Sequence, residues 1–359
     1  MISGGGTGGH IYPAISIAQA LKEILQDVEI LFVGAKGKME MKKVPEAGFK
    51  IVGLWISGIQ RKLSASNLLF PFKVCSSLLQ SARLIKDFKP DAVIGVGGYA
   101  SGPLLYVAGR KKIPTLIQEQ NSYAGLTNKW LAKSANTICV AHEGMEKYFP
   151  KEKIAVTGNP VRKTIKLNPN RKEEAWKHFE LKPSVKTLLV IGGSLGARTI
   201  NESMLGGLEK LKEHGIQVIW QVGSFYYEEM LERAGECGSS IVVKDFVRQM
   251  DFAYAIADVV ISRAGALSIA ELMLTGKPAI LVPSPNVAED HQTINAKALV
   301  ENEAAWLVTD QEAREKLIDE AIKLLEDTKE KEKLSSNIHE MAHENAAVDI
   351  ANEVIKLIA

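Results

Sequence analysis

Apolar runs rich in β-branched residues alternate with stretches of helical spacing along nearly the whole chain. Strands are predicted at Glu29–Val33, Ala92–Val96, Thr115–Gln118, Thr137–Val140, Thr187–Ile191, Val218–Val222, Ser240–Lys244, Val259–Ser262 and Ala279–Val282. Each is followed by a turn and a segment of helical period, the order that builds parallel sheets from βαβ units. Strand, glycine-rich loop and helix occupy residues 2–22, and the same order restarts over 187–205. The expected fold class is therefore α/β, with two doubly wound domains rather than one long sheet. Thr157-Gly158-Asn159-Pro160-Val161-Arg162 breaks the pattern between them and reads as the linker. A charged helix is predicted over roughly 311–336. After it, Ala347, Ile350, Ala351, Val354, Ile355 and Ile358 form one apolar stripe, which has to be buried against another element.

The length of 359 residues suits two medium domains, and 46% hydrophobic with 24% charged residues is the make-up of a soluble globular protein. Cys75, Cys139 and Cys237 are widely spaced, with no Cys-x-x-Cys pair, and read as reduced structural residues rather than metal ligands. Met1 leads directly into a glycine loop, so no secretory leader is expected. The first strand, Met1-Ile2-Ser3, is short and reads as a clipped or misassigned start. The uncharged stretch Ala92–Gly109 approaches the length of a membrane span, but its glycines and Pro103 divide it into strand, loop and helix. The net charge of +2 conceals an asymmetry, with +9 on residues 1–160 and −7 on 161–359. Unless this is drift of surface charge, a basic half suits an anionic surface.

Three glycine-rich loops carry the candidate chemistry. Gly4-Gly5-Gly6-Thr7-Gly8-Gly9 matches a dinucleotide fingerprint, but the second strand ends Val33-Gly34-Ala35-Lys36, without the acidic residue that would hold a ribose. What survives is backbone N–H groups brought close to a phosphate or sugar at a helix start, with His10 at the mouth of the loop as a candidate base. Gly192-Gly193-Ser194-Leu195-Gly196 has the form of a hydrolase nucleophile elbow, yet no acid–His pair is specified. Ser194 suits diphosphate binding equally well. The third loop, Gly95 to Pro103, is followed by Gln118-Glu119-Gln120-Asn121, four polar groups leaving a strand at its C-terminal end, where such sheets bind ligands. In Arg263-Ala264-Gly265-Ala266-Leu267-Ser268-Ile269-Ala270-Glu271, Ser268 and Glu271 have capping-box spacing. The alternative is that Glu271 accepts ribose hydroxyls while helix-start N–H groups meet phosphate.

Together the blocks GGGTGGHIYPA (4–14), GVGGYASGP (95–103), EQNSYAGLTN (119–128), TGNPVR (157–162), GGSLGAR (192–198), RAGALSIAE (263–271) and EDHQTINA (289–296) resemble the MurG family over essentially the whole chain. That resemblance implies a GT-B fold of two Rossmann-like domains facing a cleft. Residues 1–160 would form an acceptor and membrane-docking domain, 161–341 a donor domain, and a last helix of about 342–359 would cross back to the first. It implies transfer of N-acetylglucosamine from UDP-GlcNAc to lipid I, with inversion, without cofactor or essential metal. His10, Glu119 and Asn121 would be catalytic. Thr7, Gly8, Gly9, Tyr99, Asn121, Arg162, Ser194, Val247, Ala266, Leu267, Ser268, Ile269, Ala270, Glu271 and Gln292 would bind substrate, Glu271 on the ribose, Val247 near the uracil and Gln292 on the sugar. His291 departs from family members with a second Gln there, so only Gln292 is carried over. A UDP-GlcNAc epimerase of the same fold and a non-catalytic UDP-sugar-binding regulator are the alternatives.

Residues 61–89 carry Arg61, Lys62, Lys73, Arg83, Lys86 and Lys89 against Asp87, beside the apolar run Leu68-Leu69-Phe70-Pro71-Phe72. Phe72, Cys75, Leu79 and Ala82 have core spacing, which leaves Leu69 and Phe70 as the expected lipid contacts. The expected location is cytoplasmic, peripheral on the inner face of the plasma membrane, with no nucleic-acid partner.

Overall fold

A computed structural model describes residues 1–58, 69–165, 171–193, 195–235, 240–287 and 290–359. The chain divides into two compact units, Met1–Arg162 with His343–Ala359, and Lys163–Ala342. The first holds β1 (Ile2–Ser3), β2 (Leu31–Ala35), β3 (Lys50–Leu54), β4 (Val93–Gly95), β5 (Thr115–Glu119), β6 (Thr137–Val140) and β7 (Ile154–Val156), in the order β3-β2-β1-β4-β5-β6-β7. The second holds β8 (Thr187–Ile191), β9 (Gln217–Gln221), β10 (Ile241–Lys244), β11 (Val259–Ser262), β12 (Ala279–Leu281) and β13 (Trp306–Leu307), in the order β10-β9-β8-β11-β12-β13. Every pairing among these strands is parallel. The three strands that the sequence pattern does not reveal, β3, β7 and β13, all lie at sheet edges. Most of their positions are only partly covered, so the apolar signal is weak there. The two-residue β1 is central, with Ile2 opposite both Phe32 and Ile94.

Helices cover both faces of each sheet. In the first unit, Phe32, Ile94, Leu116 and Cys139 pack with helix Gly8–Ile24 and with Ile350, Ala351 and Val354 of the last helix, Ala346–Ile358. The opposite face, including Val93, Ile117 and Ile138, meets Ile85, Leu104, Leu105 and Leu131. In the second unit, Leu188, Val190 and Trp220 face helices Arg198–Glu213 and Ala313–Glu326, and Leu189, Ile219 and Val260 face the other side.

Two helix readings are corrected. The charged helix of 311–336 is two, Ala313–Glu326 and Thr328–Glu340, because Asp327 leaves helical geometry and its carboxylate caps the second by accepting from Glu330 N–H. Helix Phe70–Phe88 turns Phe72 (68% exposed), Cys75 and Leu79 (74%) outward rather than into the core. Its inward face is Ser77, Ser81 and Ile85, with Ser77 Oγ donating to the Trp55 and Lys73 carbonyls. Leu69 is exposed and Phe70 half-buried, while Arg61, Lys62 and Leu68 lie outside the described residues.

Strand order reverses direction between β1 and β4 in one sheet, and between β8 and β11 in the other. At such a point the loops leaving the C-terminal ends go to opposite faces and leave a crevice for ligands. Among the described residues no helix is long and apolar enough to cross a membrane.

Candidate active site

In the first unit the loop after β1 and the loop after β4 interlock at the switch point. Helix Gly8–Ile24 starts inside the glycine run, so His10 sits in its first turn. Gly97 and Gly98 have φ of +87° and +78°, and a Cβ on Gly97 would lie 2.8 Å from His10 Nδ1. The glycine is therefore what lets the ring approach this loop. His10 Nδ1 lies 3.1 Å from Gln120 Oε1. Burial pushes the imidazole below its ordinary pKa, opposed by Glu119, the Gln120 bond, the Val96 carbonyl and Glu40. Glu40, fully buried, accepts from the N–H groups of Gly6 (3.1 Å) and Ala35 (2.9 Å), so a carboxylate fixes the first glycine loop from below. The half-buried Tyr99 ring lies where a Cβ on Gly6 would meet it, and burial raises its phenol pKa.

Glu119, buried at the end of β5, accepts from the backbone N–H of Asn121 (3.1 Å) and Gly125 (2.9 Å) and from Asn128 Nδ2 (2.9 Å). A longer contact reaches Asn121 Nδ2. Both oxygens are engaged by the loop that carries Asn121. Arg162 closes this unit with its guanidinium over the Tyr12 ring, 5.3 Å from the centroid.

In the second unit, three helices begin beside the C-terminal ends of β8, β11 and β12: Arg198–Glu213, Ala266–Thr275 and His291–Glu301. Helix Ala266–Thr275 starts directly after Gly265, which removes the capping-box reading, since Ser268 already lies inside it. The first-turn N–H groups of Ala266, Leu267 and Ser268 precede the intrahelical ladder, whose first bond is Ile269 N–H to Gly265 O. Ile269 and Ala270 are buried behind them. One turn on, Glu271 is 6% exposed and accepts from Tyr254 O–H at 3.2 Å. Gln292 Oε1 accepts from Ser284 N–H, and its NH₂ is a donor group. Val247 is buried and its N–H donates to Gln221 Oε1. Ser194 lies outside the described residues.

The Glycosyltransferase family 28 N-terminal domain matches residues 1–140, and the family 28 C-terminal domain matches 187–354. The chain is 57% identical to a transferase of Cytophaga hutchinsonii, across 100% of this chain and 96% of that one. It is 53% identical to one of Parabacteroides distasonis, across 100% and 98%. Both relatives bear the name UDP-N-acetylglucosamine–N-acetylmuramyl-(pentapeptide) pyrophosphoryl-undecaprenol N-acetylglucosamine transferase. The crystal structure of Acinetobacter baumannii MurG superposes with a TM-score of 0.77 at 28% identity, covering 99% of each chain. This chain belongs to the MurG transferases of glycosyltransferase family 28.

The family 28 motifs mark the glycine loops and helix starts, and the role of the residues that hold them in place is not marked. Glu40 lacks any motif of its own. Arg263, inside a quoted block, binds the Val282 and Pro283 carbonyls and pairs with Asp310 at 2.5 Å, while Asp310 also accepts from Thr199. That guanidinium ties together the ends of β11 and β12 and the first turn of helix Arg198–Glu213. Asn295, fully buried, fastens helix His291–Glu301 to the Ala264 carbonyl. For Arg263 the available signal was a charged residue one position beyond a buried strand, where only a paired polar group is tolerated.

Proposed function

We propose that this chain transfers N-acetylglucosamine from UDP-GlcNAc to lipid I, forming lipid II for peptidoglycan synthesis. The observation that carries the proposal is full-length identity of 57% to a transferase named for that reaction. The second unit takes the donor. N–H groups of Ala266, Leu267 and Ser268 meet the diphosphate together with Ser194 and Arg162. Glu271 accepts the ribose hydroxyls, Gln292 donates to the sugar, and the Val247 backbone meets the uracil. The first unit takes the acceptor near Tyr99 and Asn121. The acceptor hydroxyl attacks the anomeric carbon on the side opposite the diphosphate. The bond to UDP breaks with inversion, and the hydroxyl proton passes to the unprotonated nitrogen of His10. Fixed N–H dipoles and Arg162 stabilise the departing UDP. Glu119 acts by ordering Asn121 and by favouring positive charge on His10.

The first unit docks on the inner membrane face. Leu69 before helix Phe70–Phe88, Phe72 and Leu79 on it, and Tyr106, Leu126 and Trp130 on helices Ser101–Arg110 and Leu126–Leu131 are exposed, and Arg83 and Lys86 on the first of these helices and Lys89 at its end are exposed as well. Each basic residue near an anionic leaflet contributes about 1 kcal/mol, and the apolar side chains add burial in lipid.

Mass analysis after mixing the protein, UDP-GlcNAc and a lipid I analogue tests the activity. One GlcNAc added to the acceptor with stoichiometric UDP is the expected result. An epimerised UDP-sugar with unmodified acceptor, or donor binding without turnover, would overturn it.

A further inference from the structure

Behind His10 lies a closed set of three buried amides, Gln118, Gln120 and Asn159, on strand β5, the loop after it and the chain segment beyond β7. Gln120 Nε2 donates to the Val96 carbonyl at 2.9 Å and to Gln118 Oε1. Gln118 Nε2 donates to Asn159 Oδ1 at 3.1 Å, and Asn159 Nδ2 donates to the Gln120 carbonyl at 2.9 Å.

The direction of each bond is forced. A backbone carbonyl only accepts, so the Val96 carbonyl requires the NH₂ of Gln120, and the Gln120 carbonyl requires the NH₂ of Asn159. Asn159 then offers oxygen to Gln118, Gln118 offers nitrogen to Asn159 and oxygen to Gln120, and both ends of the chain demand the same orientation. Reversing one amide would set oxygen against oxygen in a buried site, where an unsatisfied polar pair is costly. What Gln120 has left for His10 is its oxygen, which only accepts.

We infer that Gln120, held by Gln118 and Asn159, is a positioning residue that fixes His10 as the Nδ1–H tautomer and so leaves the basic lone pair on Nε2. This deepens the reading of His10 as the base and rests on it. Glu119 and Glu40 act on the same ring through charge, but their hydrogen bonds go to backbone N–H groups and to Asn128, so they bias its protonation without choosing the tautomer. Amides suit this task because they set direction without adding a charge.

Proton–nitrogen correlation spectra of the ¹⁵N-histidine protein, with His10 assigned by the signal missing in His10→Ala, read the tautomer without reference to activity. Wild type is expected to show a protonated Nδ1 and an unprotonated Nε2. Gln120→Leu should lose that preference and cut turnover roughly 10- to 100-fold with little change in donor KM. Gln120→Glu should keep the tautomer and move the acidic limb of the kcat profile to higher pH, Glu40 and Glu119 being unchanged. Gln118→Met, one bond further from the ring, tests the same chain if Gln120 variants do not fold, and should loosen the tautomer less. A protonated Nε2 in wild type, or an unaltered tautomer in both Gln120→Leu and Gln118→Met, would overturn the inference. Near-normal turnover by His10→Ala removes the base role instead and leaves the tautomer result standing.

Discussion

Glu119, at the end of strand β5, and Glu271, inside helix Ala266–Thr275, are both buried carboxylates, and their partners set their roles apart. Glu119 answers donors of its own loop, so removing it strands several N–H groups. Glu119→Ala should lower stability by at least about 2 kcal/mol, measured by chemical unfolding, because buried donors left unmatched cost about 1–3 kcal/mol each. Glu271 accepts a phenol and stands in the helix whose first-turn N–H groups precede the hydrogen-bonded ladder. Its replacement by Ala should weaken UDP-GlcNAc binding by about ten-fold or more in calorimetry, since hydrogen bonds to a charged group contribute about 1.5–3 kcal/mol. Unaltered affinity in a folded variant would take Glu271 out of the donor site. His142 offers a pH test. Burial first, and then His343, push its pKa down to about 4, so the unfolded chain binds a proton that the folded one refuses. Its contribution is complete above the unfolded value of about 6.5 and is lost as pH falls from there towards 4, by about 3 kcal/mol in all. His142→Leu should flatten the stability profile over that interval.

At the scale of elements, the strand pattern was legible because most interior strands are covered on both faces and read as apolar runs. The edge strands β3, β7 and β13 were not, although the fourth edge strand, β10, was, and neither was the inward face of helix Phe70–Phe88. That helix presents serines to its neighbour and its largest side chains to solvent, so apolar spacing pointed to the wrong side. The same inversion makes a sharp test. Phe72→Ser with Leu79→Ser removes no core contact and should leave the thermal midpoint nearly unchanged. Cosedimentation with anionic liposomes should fall several-fold, and turnover of a long-chain acceptor should fall with it, while a short soluble acceptor is still used. Equal liposome binding would place the membrane contact elsewhere. The glycine loops were visible as motifs, but their settings were not: Glu40 stands thirty-four residues from the Gly6 N–H it accepts, and separation of that kind leaves no local signature.

Over the whole molecule, the first unit is assembled from residues 1–162 and 343–359, with the entire second unit intervening. Ile350, Ala351 and Val354 are buried against Ile11, Ala14 and the neighbouring apolar side chains of helix Gly8–Ile24 and its sheet. Ile350→Ala should destabilise this unit by about 2–5 kcal/mol, the usual cost of a large-to-small change in a core, and leave UDP affinity in the surviving folded fraction intact. This arrangement also sets an order on biosynthesis. On the ribosome the first 162 residues emerge without the helix that covers Ile11 and Ala14, and that helix is made only after the intervening unit. The first-made part of this unit thus waits for a helix made after the whole second unit, and a nascent chain stopped before Ala346 displays an uncovered apolar helix face to chaperones and proteases.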